Sequence, residues 1–121
     1  MTPWSAAAIS EFMAKANTVF PRRSDQRKYE LNRLALESFL SDSLSLHSHL
    51  HDRLDHLRSL TASPVIIGFL YDWENIVNGD VQRLAAVFHS GTDYAVAMLE
   101  TSPLSILITQ TEREEVFRNG L

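Results

Sequence analysis

The run from Ser24 to Leu60 constrains the whole chain. With residues placed at about 100° intervals, Leu36, Phe39, Leu46, Leu50, Leu54 and Leu57 fall in one narrow stripe. Ala35, Leu31 and Leu60 flank it on one side and Leu40 on the other. Glu37, Ser45, Ser48, Asp52 and Asp55 lie elsewhere on the wheel, as a half-buried helix requires. Ser24 or Asp25 can accept the first free backbone N–H groups, and Pro64 closes the far end after Thr61-Ala62-Ser63.

Length turns this pattern into a choice. One helix over residues 25–60 would measure roughly 54 Å at about 1.5 Å per residue. A compact chain of 121 residues has a radius of gyration of about 13.6 Å, hence a diameter of roughly 35 Å. Either the helix bends at Ser41-Asp42-Ser43, where three poor helix formers meet, or its overhanging leucines are covered by another molecule. The expected fold is therefore all-α, five to six helices in a single helical domain over residues 1–121, built on one very long amphipathic helix at about 25–60. The overhang predicts a homodimer in which Phe39, Leu46, Leu50, Leu54 and Leu57 form the dimer- or partner-binding face.

The other elements are placed by their caps. Thr2-Pro3 reads as a helix start, and a first helix from about Pro3 to Thr18 carries Ile9, Phe12, Met13 and Ala16 on one side. Ser63-Pro64 opens the most apolar stretch, which runs to Val77 before the Asn78-Gly79 exit. Val65-Ile66-Ile67 would also suit a buried strand, but the unbroken run favours a helix, apolar nearly all round and central. Asp80 caps the next helix, Val81 to His89. Residues 94–109 leave two readings, a short β-hairpin around Thr101-Ser102-Pro103 or further helix, and Ala95, Ala97, Met98 and Leu99 favour helix. Thr111-Glu112-Arg113-Glu114 has the form of a capping box, so a last helix should run from Glu112 to Arg118.

Charge and composition narrow the function classes. The absence of cysteine excludes disulfides and thiolate metal sites and fits a reducing compartment. No secretory signal pattern opens the chain, and the longest apolar run, Pro64 to Tyr71, is too short to span a bilayer. The expectation is a cytoplasmic protein without membrane contact. Residues 1–33 hold six basic and three acidic groups, a balance of +3, whereas residues 72–121 hold three and eight, a balance of −5. Arg22, Arg23, Arg27, Lys28 and Arg33 are too few for a nucleic-acid footprint and suit a solvated or partner-facing surface, or one that neutralises the acidic end.

Candidate chemistry is sparse. His47 and His51 are four apart and share a helix face, the spacing at which two imidazoles grip one metal, and Asp55 continues the row. Residue 48 is serine where a metalloprotease helix carries glutamate, and no third ligand is identifiable. A small metal- or ligand-binding helical domain using the His47/His51 face is the alternative reading. Val81 to Glu100 has the cadence of a helix-turn-helix, but Asp93 to Leu99 offers no cation to phosphates or bases. There is no nucleophile elbow and no phosphate loop, and Asp72 and Glu74, two apart, would point differently on a helix. We expect no enzyme activity, no cofactor and no direct contact with nucleic acid.

The long Leu/Ser/His-rich helix (Leu44 to Leu60), followed by the apolar Pro64 to Val77 segment in a small acidic chain, resembles the QslA-type quorum-sensing anti-activators of Pseudomonas. That resemblance implies a regulator that binds a LuxR-type transcription activator and blocks its dimerisation and DNA binding. It carries over no functional residue. The residues themselves point to a non-enzymatic protein that works by protein–protein contact.

Overall fold

Asp42 divides the long helical run in two. The computed structural model describes residues 4–120, and in it α2 (Arg23–Ser41) ends where Asp42 leaves helical geometry, at φ −145° and ψ 44°, before α3 (Ser43–Ser59) begins. Ser41 Oγ donates to the Glu37 carbonyl at 2.8 Å, the back-bonding that bends helices and competes with the ladder. The Asp42 N–H turns inward to the Phe39 carbonyl, and the Asp42 carbonyl accepts from Leu46 to start the next helix. The continuous helix over residues 25–60 is thereby replaced by two, for the reason its length supplied. A straight rod cannot keep both halves of its apolar stripe on one core.

Folding at the elbow brings the two halves of the stripe together. Leu36, Phe39 and Leu40 from α2 and Leu50 and Leu54 from α3 join one buried cluster, in which Leu50 and Leu54 are 0% exposed. Leu46 and Leu57 are partly buried against it. The overhang from which the homodimer was argued does not exist. Phe39, Leu50 and Leu54 are spent on this chain's own interior.

The remaining helices are α1 (Ala6–Lys15), α4 (Pro64–Val77), α5 (Val81–Phe88), α6 (Asp93–Glu100) and α7 (Gln110–Arg118), with a 3-10 turn at Pro103–Leu107. Among the described residues there is no strand, so the hairpin reading of 94–109 gives way to α6 and the 3-10 turn. Among the described residues seven α-helices stand where five or six were expected. The first begins at Ala6 with Ser5 as its cap, Oγ accepting from Ala8 at 3.0 Å; the expected Thr2-Pro3 start lies outside the described residues. The last starts two residues early, because Thr109 rather than Thr111 forms the capping box with Glu112.

α4 is not surrounded. Leu70, Trp73, Ile76 and Val77 face the core, and Trp73 Nε1 donates to the Met98 carbonyl of α6 at 2.8 Å. Val65 and Tyr71 on the other side are exposed, so this apolar helix lies at the surface of the bundle rather than at its centre.

The basic cluster is largely absorbed within the chain. Arg33 donates to the carbonyls of Ala16 (2.7 Å) and Met13 (3.1 Å), closing the C-terminal end of α1, where a cation also suits the helix dipole. Lys28 reaches Glu100 at 3.3 Å, and the Arg27 guanidinium lies 4.2 Å from the Phe117 ring centre. These contacts tie the basic start of α2 to the acidic C-terminal third.

Candidate functional site

The elbow at Asp42 and the turn between α4 and α5 enclose a pocket of ≈ 210 Å³. Each wall follows from a local break. Phe39, Leu40, Ser43, Leu44 and His47 arrive from the two sides of the elbow, and Ile76, Val77, Asn78, Gly79, Asp80, Val81 and Leu84 from the two sides of the turn. Gly79 makes that turn possible with φ 112°, a conformation that L side chains rarely adopt. Trp4 completes the lining and sets its ring edge-on to Phe12, with centroids 5.6 Å apart. A more open groove of ≈ 340 Å³ continues from Trp4 and Val81 past Phe12 to His89.

The pocket floor is apolar, and its rim is polar. His47 Nε2 lies 2.8 Å and His51 Nε2 3.1 Å from the same atom, Oδ1 of Asn78. The two rings are 4.4 Å apart, the closeness that an i, i+4 spacing on α3 dictates. His51 Nδ1 lies 3.7 Å from Glu74, whose other partner is Arg58 at 3.5 Å. Arg58 also pairs with Asp55, a bond that raises its pKa against the opposing effect of burial, and its guanidinium sits 5.3 Å from the Tyr71 ring centre. On the far side, Asp80 caps α5 through Arg83 N (3.0 Å) and pairs with its Nε (3.2 Å).

A second polar group braces α4, α5 and α6. Arg83 Nη1 meets Asp72 at 2.7 Å, and the Tyr94 hydroxyl donates to the other oxygen of that carboxylate at 2.9 Å. Burial first, and then the bond to Asp72, push the Tyr94 phenol above its ordinary value. The groups in both clusters bond chiefly to one another, while Arg58 Nη1 is buried without a partner. The described histidine contacts are to an amide, a carboxylate or a backbone carbonyl, with His89 Nε2 at 3.0 Å from the Phe12 oxygen. What such an arrangement can do is hold a shape and bind.

No family model, curated protein or solved structure matches this chain. Its site is therefore read from its own residues.

The His47/His51 face is formed as the spacing predicts, but it closes on Asn78 rather than on a third ligand. Among the described residues no group of three or more His, Asp or Glu side chains could hold a metal ion. His49 and His56 are exposed on other sides of α3. Of the five residues expected at a partner face, Phe39 lines the elbow pocket, Leu50 and Leu54 are core, and Leu46 and Leu57 are half-buried. Exposed large apolar side chains are spread over several places, Val19, Leu44, Val81, Ile106 and Phe117 among them, and four more lie at Leu60 and along α4. Leu60 is 68% exposed, Val65 67%, Tyr71 54% and Ile66 39%. Pro64, Gly68 and Tyr71 follow at i, i+4 and i+7 along the outer side of α4, with open space over Gly68 where a Cβ would stand. Sequence reasoning singled out this segment as the most apolar in the chain and assigned it to the core. Its outer stripe of proline, glycine and tyrosine, rather than leucine, was the available sign that one side stays in solvent.

Among the described residues no helix is long and apolar enough to cross a membrane.

Proposed function

We propose that this protein is a non-enzymatic regulator that acts by contact with another protein, through the α3–α4 corner rather than through the leucine stripe of α3. The observation that supports this is the exposure of Val65 and Tyr71 on α4 and of Leu60 just before it, with Gly68 open between them. Scattered apolar side chains are ordinary on a surface, whereas several together mark a place where another molecule sits. A helix with a flat apolar side and no side chain at Gly68 allows a partner's backbone to approach closely. Tyr71, held beside Arg58, is the aromatic anchor of the kind that dominates such interfaces.

The resemblance to anti-activators names a partner class to try first, a LuxR-type transcription activator silenced at its own dimer seam. On this reading the protein leaves operator DNA unshifted by itself and releases the activator from it. A homodimer would not use Leu50 and Leu54, which are occupied inside the chain. Sedimentation of the 13.7 kDa chain at micromolar concentration distinguishes a dimer from a surface kept free for a partner.

The test is a pull-down from the native cell extract with wild type, Val65→Asp and Tyr71→Asp, followed by a gel shift with any transcription factor recovered. Capture by wild type and loss of capture in both variants supports the proposal. Capture unchanged by either charge, or no protein partner at all, removes it.

A further inference from the structure

We propose that the elbow pocket binds a small neutral aromatic molecule carrying one hydroxyl group. The inference stands apart from the α3–α4 corner and rests on size, lining and leftover hydrogen-bonding capacity. A cavity of ≈ 210 Å³ is somewhat larger than the roughly 150 Å³ that accepts benzene in an apolar protein interior, so it has room for one ring and a small substituent. Phe39, Ile76, Val77 and Leu84 make its floor apolar, and Trp4 and Phe39 supply rings for edge-on or offset contact with an aromatic guest.

The polar requirement comes from His47 and Asn78, which both line the pocket and already bond to each other. With Asn78 Oδ1 accepting, His47 carries its hydrogen on Nε2, which leaves Nδ1 as an acceptor and the Asn78 NH2 as a donor. Turning the amide over exchanges the roles and leaves the same pair, one donor and one acceptor. A hydroxyl both donates and accepts, so a single such group on the guest answers both.

Charge selects a neutral molecule. The Asp80 carboxylate, the acidic group of the lining, is paired with the Arg83 guanidinium, so the rim offers neither a free anion to a cationic guest nor a cation to an anionic one.

The experiment titrates the isotopically labelled full chain with phenol, toluene and benzoate while following the Trp4 indole and the Asn78 side-chain amide by NMR. Saturable phenol binding in the millimolar range or tighter is expected, about five-fold stronger than toluene and stronger again than benzoate, the ratio that one net hydrogen bond supplies. His47→Phe keeps a ring of similar size and should bring phenol down to the level of toluene. Val81→Trp, at an exposed rim position, should fill the mouth and abolish binding while the melting transition stays cooperative. Phenol no tighter than toluene in the wild type, or binding undiminished in folded Val81→Trp, overturns the proposal. So does the absence of saturation with every probe, which would leave the pocket to a side chain of a protein partner.

Discussion

The Tyr29 hydroxyl donates a 2.7 Å hydrogen bond to the buried backbone carbonyl of Phe88, the last residue of α5. A helix leaves its final carbonyls without partners, and here one is closed from a different helix. Thr18 Oγ1 donates to the same oxygen at 3.1 Å, and the Thr18 N–H donates back to the Tyr29 hydroxyl at 3.2 Å. The α1–α2 connection, α2 and α5 therefore meet at one point. Tyr29→Phe retains the ring and the Thr18 bond to Phe88 but leaves the Thr18 N–H without its acceptor. We expect a loss of about 1–2 kcal/mol, read as a lower urea midpoint with an unchanged slope.

Leu50 and Leu54 supply the sharpest contrast between interior and interface. Both are fully buried in the cluster that joins α2, α3 and α4, so Leu50→Ala and Leu54→Ala should each cost about 2–5 kcal/mol in chemical denaturation. Val65, exposed on the outer side of α4, should tolerate alanine within about 0.5 kcal/mol. Small effects at Leu50 and Leu54 would mean that the stripe is not core in solution and would restore the dimer argument.

What the sequence disclosed and what it hid follow from the range of the forces involved. The helices opened by Ser63 and Asp80 were legible because a capping oxygen and the N–H three residues on lie within one turn of each other, whereas the stretch that begins α6 left a hairpin open. The last helix was legible in kind but not in register, since Thr109 with Glu112 and Thr111 with Glu114 are equally good boxes on paper. The elbow at Asp42 was visible only as an alternative. The periodicity of Leu36 through Leu57 continues across the break, and the decision belongs to the tertiary core. The pocket was not legible as a pocket. His47 was noticed for its spacing to His51, but Asn78, which both histidines meet, lies some thirty residues away and reaches them because the connection at residues 60–63 folds α4 back along α3.

Asp80 gives a pH test with a definite sign. Its carboxyl is held below the ordinary carboxylate value, first by the Arg83 backbone N–H and then by the Arg83 guanidinium. A group whose folded pKa is lower than its unfolded one stabilises fully above the unfolded value, near about 3.9, and loses that contribution as pH falls through the lower folded value. Asparagine caps a helix about as well as aspartate but does not titrate. Asp80→Asn should therefore lose less of its thermal stability than the wild type on acidification below about pH 4. Parallel acid profiles for the two proteins would count against the assignment, as would a carboxyl 13C titration with an ordinary midpoint.

The elbow itself can be tested at Asp42. This residue is exposed and its side chain makes no capping bond, so alanine removes no contact and replaces a poor helix former with the best one. If the break were written locally, Asp42→Ala would straighten the run from Arg23 to Ser59. The energies say otherwise, because the propensity gained is about 0.5–0.7 kcal/mol, whereas swinging α3 away from the core would expose Leu50 and Leu54 at about 1.5–3 kcal/mol each. We expect Asp42→Ala to keep the wild-type radius of gyration by small-angle scattering, a stability within about 1 kcal/mol, and backbone chemical shifts that still break at residue 42. An elongated particle, or one that becomes dimeric as its leucine stripe emerges, would show that Asp42 rather than the packing of its neighbours makes the bend.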